Sequence, residues 1–123
     1  MTSIEKECFR LFQEVVLERD QACQMCGYPA TAAHHIFGRT RRATAFDPEN
    51  GVGLCKEHHR RAHLSSVEFL EWVRDVLIGS KRFYLLREKS LSVARFRDAD
   101  FKAIKKGLQE TLEALRRGDD PTS

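Results

Sequence analysis

All five histidines of the 123-residue chain, and three of its four cysteines, lie between Cys23 and His63. In a cytosolic chain that mixture of types points to metal binding before disulfides. Cys23-Gln-Met-Cys26 is a C-x2-C knuckle, and Cys55-Lys-Glu-His58 is a C-x2-H half-site. Two residues between ligands allow a tight turn or a first helical turn to aim both side chains at one ion, so the halves together make a tetrahedral zinc site. With four protein ligands such a site is closed and structural, pinning a loop to the helix that follows it.

That set leaves four histidines. If the chain is helical from Cys55 onward, His59 and His63 stand at i and i+4 on one face and reach one ion together. His58 is then rotated about 100° from His59 and serves the other site. On a regular strand His34 and His35 point to opposite sides of the pleat, so one can ligate a metal while its neighbour does something else. A second centre of His34, His59 and His63, with positions left for water and substrate, follows from this geometry.

The elements that must carry these residues are legible in outline. Ile4, Cys8, Leu11, Phe12 and Val15 recur at helical spacing and predict an amphipathic helix over Ser3–Arg19, with Cys8 a small buried hydrophobe. From Asp20 to Leu54 the chain is rich in Gly, Pro, Thr and Cys, and within it Thr31–Phe37 and Gly51–Leu54 read as a strand pair. Ser65 and Glu68 make a capping-box pattern ahead of Val67, Leu70, Val73 and Leu77, with Gly79 as the stop. A long helix follows Asp98 or Asp100, carries Phe101, Ile104, Leu108 and Leu115, and closes at Gly118. The tail Asp119–Ser123 is expected to be disordered. Phe69, Trp72, Phe83 and Phe101 are expected to pack in the core. The expected class is α+β, a single domain over residues 1–118 with a core at 20–63 and a helical extension at 64–118.

Composition narrows the function classes. A hydrophobic content of 41% fills one modest core, and a formal net charge of +3 says little by itself about partners. Glu5, Lys6, Glu7 and Arg10 interrupt any apolar leader, and no run is long enough to span a bilayer, so a soluble cytoplasmic protein is expected, with no membrane partner.

The series Cys23-x2-Cys26, His34-His35-Ile36, Asn50 in PENG, Leu54-Cys55-x2-His58-His59 and His63 closely resembles the HNH endonuclease family, whose core is a ββα-metal fold. The resemblance covers about Asp20 to His63. Outside it, LERDQACQMCG, the FDPEN loop and RFRDADFKAIKKGLQETLEAL resemble the NinG (Rap) recombination proteins of lambdoid phages. The first resemblance implies a metal-dependent DNA endonuclease that leaves a 5′-phosphate and a 3′-hydroxyl; the second implies branched recombination intermediates as substrate and a phage or prophage origin. Carried over residue by residue, the first makes His35 the general base, and His34, His59 and His63 the ligands of a catalytic Mg2+, Mn2+, Ni2+, Co2+ or Zn2+ ion. It makes Asn50 a residue that either orients the base through the loop or touches the metal. Relatives often have a fourth cysteine where this chain has His58, which leaves open a swap of His58 to the catalytic ion.

Within this reading Arg39, Arg41 and Arg42 leave the catalytic strand, and Lys56, Arg60 and Arg61 surround the metal-binding helix. Both groups are expected to flank the scissile phosphate and to bind DNA without base preference. Lys102, Lys105, Lys106, Arg116 and Arg117 read as a solvated helix face. The alternative is a noncatalytic zinc-binding module, either DNA-binding or a phage packaging adaptor. In that case the apolar stripe from Phe101 to Leu115 would dock a phage protein, and it would equally serve a homodimer.

Overall fold

The computed structural model describes residues 1–119. Its backbone is α+β: helix α1 (Ser3–Asp20), strands β1 (Ala32–His35) and β2 (Gly51–Leu54), then helices α2 (Lys56–Leu64), α3 (Ser66–Trp72), α4 (Ser80–Ser90) and α5 (Asp98–Arg116). The two strands pair antiparallel, with His34 opposite Val52 and His35 opposite Gly51. The backbone bonds run one residue past β1 at each end, from Thr31 N–H to the Leu54 carbonyl and from Ile36 N–H to the Asn50 carbonyl. A two-stranded sheet is marginal by itself. Here helices cover it: Val52 and Leu54 pack with Ile36, Phe37, Ala62, Phe69, Val73, Phe83 and Leu86, while α1 lies along both strands.

The amphipathic stripe of α1 behaves as its spacing predicts. Leu11, Phe12, Val15 and Val16 are buried against Leu108 and Leu112 of α5, and Cys8 joins Ala45, Phe46 and Phe101. The Cys8 thiol is fully buried and reaches the Phe101 carbonyl at 3.5 Å. Burial raises its pKa, as suits an unreactive packing residue. The apolar stripe of α5 is therefore packed within the chain. At the C-terminal end of α1, Arg19 grips its neighbour Asp20 at 2.8 and 3.0 Å and donates to the Pro48 and Gly51 carbonyls at 2.8 Å each. Asp20 accepts the Gly53 N–H at 2.7 Å. This clamp fixes β2 against α1.

Three local expectations differ from the structure. The capping box at Ser65 does not form: Ser65 stands at the N-cap of α3 without a side-chain hydrogen bond, because its own N–H still closes α2 on the Arg61 carbonyl. The helix that follows does not run regularly to Gly79; it widens into a π-turn over Val73–Leu77, and Gly79, at φ +84°, breaks the chain before α4. Helix α4 itself carries only three inward positions, Phe83, Leu86 and Ser90, and this weak apolar stripe gave no sequence signal. Gly118, at φ +83°, follows the end of α5 in the left-handed conformation that its position predicts. Of the expected disordered tail, Asp119 is described and 120–123 lie outside the described residues. No helix among the described residues is long and apolar enough to cross a membrane.

Candidate metal centres

The knuckle and the half-site meet where β2 enters α2. The donor atoms of Cys23, Cys26, Cys55 and His58 all lie within 4.8 Å of one another. Two thiolates on one tetrahedral zinc stand about 3.8 Å apart when each bond is about 2.3 Å. The sulfurs of Cys26 and Cys55 are 3.8 Å apart, and His58 Nδ1 lies 3.2 Å from the Cys55 sulfur. The four residues could therefore hold zinc, with His58 as the fourth ligand. Cys55 is also the N-cap of α2, its sulfur accepting the His58 N–H at 3.4 Å. Burial opposes ionisation of Cys23, but the backbone N–H groups of Cys55, Met25 and Cys26 aim at its sulfur and bring the thiol below its usual pKa.

The second cluster lies on the other side of α2. His34 from β1 meets His59 and His63, whose donor atoms together fall within 4.8 Å. The Nε2 atoms of His59 and His63 are 3.2 Å apart, close to the roughly 3.3 Å edge of a tetrahedron with bonds of about 2.05 Å. Burial, reinforced by His63, His59 and His35, pushes His34 down to about 4. Burial and then His63 also lower His59. Both shifts favour the neutral imidazole at His34 and His59, whose lone pair can then meet a cation. Three histidines leave coordination positions open where four protein ligands close them. The two sets are separate, and His58 sits with the cysteines.

His35 turns the other way. Its ring stacks on Phe12 of α1 with centroids 4.4 Å apart and planes 13° from parallel, and Phe9 meets it edge-on at 6.0 Å. Its Nε2 lies 2.9 Å from the Ala45 carbonyl. A carbonyl only accepts, so Nε2 carries the proton and the neutral ring keeps Nδ1 as its basic atom. Burial lowers the pKa of His35, Arg39 adds to this, and the Ala45 carbonyl opposes it.

Asn50 is fully buried in the loop between the strands. Its Nδ2 donates to the carbonyls of Phe37 at 2.8 Å and Thr44 at 3.1 Å, while its Oδ1 accepts the Phe37 N–H at 2.9 Å. The whole amide is spent on backbone, and the residue it steadies at Thr44 immediately precedes Ala45. Asn50 belongs to neither ligand cluster among the described residues.

A cleft of about 410 Å³ runs between β1 and α2 and is lined by His34, His35, Arg39, His59 and His63, with Ser66 at its edge. Arg39 is exposed there, its guanidinium 5.4 Å from the Phe9 ring centre. The other basic residues are arranged differently. Arg41 donates to Ser90 at 3.0 Å and lies over Phe37. Arg42 pairs with Glu5 at 3.1 Å and lies over Phe46. Arg60 and Arg61 are exposed but share Glu57, whose carboxyl their hydrogen bonds hold at about 2. Lys56 is exposed at the start of α2. Sequence reasoning missed Glu57, although its i+3 and i+4 spacing to the two arginines was readable. It also missed Phe9 as a neighbour of His35, since nothing local connects α1 to β1. Comparison with family models, curated proteins and solved structures returned no match for the chain.

Proposed function

We propose that the chain is a metal-dependent DNA endonuclease of the HNH type, in which His35 is the general base beside a cation held by His34, His59 and His63. The observation that carries this reading is the division of labour between adjacent histidines: His34 joins a three-imidazole cluster, while His35, the next residue, is held by a backbone carbonyl and opens on the same cleft. A bound divalent ion would supply positive charge for the scissile phosphate and its leaving oxygen. The protein's own groups do the rest. Neutral His35 accepts a proton from water at Nδ1, its Nε2–H donated to the Ala45 carbonyl. Arg39, the basic residue on the cleft wall, holds a phosphate oxygen through its guanidinium. Arg60, Arg61 and Lys56 lie on the exposed face of α2 and attract the flanking backbone, with Glu57 orienting the two arginines. Arg41 and Arg42 brace the loop instead. Branched DNA is the substrate that the likeness to NinG favours.

The test is nicking of supercoiled plasmid in Mn2+ by the wild type and His35→Ala at equal zinc content. The variant is expected to lose about 100- to 10,000-fold in rate, the usual worth of a general base, with its zinc and its folding unchanged. Undiminished nicking by His35→Ala removes His35 from the chemistry. Binding of DNA by both proteins with no nicking by either favours the noncatalytic module.

A further inference from the structure

We infer that Phe12 of α1 is a positioning residue for His35, and that Gly51 leaves the space in which its ring lies. The proposal deepens the nuclease reading and rests on it. One hydrogen bond from Nε2 to Ala45 fixes a point on the imidazole but leaves rotation of the ring about that point. A flat neighbour stops such rotation, and Phe12 is nearly coplanar with His35, at 13° and 4.4 Å between centroids. Phe12 is 1% exposed and cannot swing away, being packed with Leu11, Val15, Leu108 and Leu112.

The second observation comes from the opposite strand. Gly51 pairs with His35 across the sheet. A Cβ built at Gly51 would stand 2.7 Å from Phe12 Cζ and 2.6 Å from Val16 Cγ2, closer than real methyl contacts. Its φ of −124° is ordinary extended backbone, so glycine is not needed here for conformation. It is needed for room, and the room is filled by a Val16 methyl and by the ring that lies on His35. Thus α1, which lies outside the ββα core, completes the base from a distance in sequence, and the glycine beside Asn50 has a role of its own.

The experiment measures kcat and KM for plasmid cleavage by the wild type, Phe12→Leu, Gly51→Ala and Val15→Ala, together with zinc content and unfolding temperature. Phe12→Leu keeps apolar bulk and removes the plate; Gly51→Ala keeps the plate and pushes it aside. Val15→Ala is the control, since Val15 is equally buried on α1 but shares no ring contact with His35. Both test variants are expected to lose about 10- to 100-fold in kcat, the scale of a misplacement near 1 Å, with KM and zinc unchanged. Val15→Ala is expected to lose stability and keep kcat. A kcat in Phe12→Leu within about twofold of wild type, or a loss in Val15→Ala that tracks the same fall in stability, overturns the proposal and leaves the nuclease reading standing. No cleavage by the wild type overturns both.

Discussion

The Cys55 sulfur lies 3.8 Å from that of Cys26 and 3.2 Å from His58 Nδ1, and it also accepts the His58 N–H that opens α2. One atom is thus both a helix cap and one of four donors that could hold zinc. Replacing it with serine separates the two, because a hydroxyl caps a helix well but is a poor zinc ligand. Cys55→Ser is expected to lose the zinc proposed for this site and about 10 °C or more in unfolding temperature, the cost where folding is coupled to metal. Elemental analysis and a thermal melt check this, with Cys8→Ser as a variant expected to keep its zinc. Exhaustive chelation of the wild type is expected to give the same melting temperature as Cys55→Ser; a large difference between them would place the cost in the cap and not in the metal.

At the scale of elements, the loop from Ile36 to Asn50 decides where Ala45 stands, and through it where His35 points. Asn50 closes that loop on three backbone groups; Asn50→Ala leaves the Phe37 N–H and carbonyl without partners in a buried site, while the Thr44 carbonyl keeps the Asp47 N–H. A cost of about 2–4 kcal/mol is expected, from the usual penalty for unsatisfied buried groups, measured by denaturant unfolding. Cleavage should fall with it even where the protein remains folded. Much of this was legible in the sequence. Ligand spacing identified the two half-sites and the His59–His63 pair, since two residues between ligands or an i, i+4 pair on a helix fixes geometry within a single turn; His34 entered through the strand reading, and its choice over His35 through the family resemblance. The ends of β2 were readable because Asn50-Gly51 and Cys55 bound a short apolar run. What spacing cannot express is contact between distant segments. The Phe12 plate, the Arg19–Asp20 clamp and the turning of Arg41 toward Ser90 join residues far apart in the chain. Helix α4 was missed for another reason: its inward face is too thin to produce a period.

At the scale of the whole molecule, the loop before β1, the short sheet and α2 carry both clusters, and α1 with α5 forms a buttress on one side of them. The four-ligand set has every position filled by protein, which suits it to tying the Cys23–Cys26 knuckle to the junction of β2 and α2. The three-histidine set opens on the cleft with Arg39 and His35. Together with the division of labour between His34 and His35, the open centre supports the proposed hydrolysis of a phosphodiester by activated water. Attack by water in line with the 3′ oxygen leaves a 5′-phosphate and a 3′-hydroxyl, which DNA ligase can rejoin. The most direct measurement is therefore to nick supercoiled plasmid with the wild-type protein and Mn2+, remove the protein, and treat the product with ligase. Nicks that appear with the wild type, are nearly absent with His35→Ala and are resealed by ligase are the predicted result. Nicks that ligase cannot close, or that form equally without His35, would contradict the account.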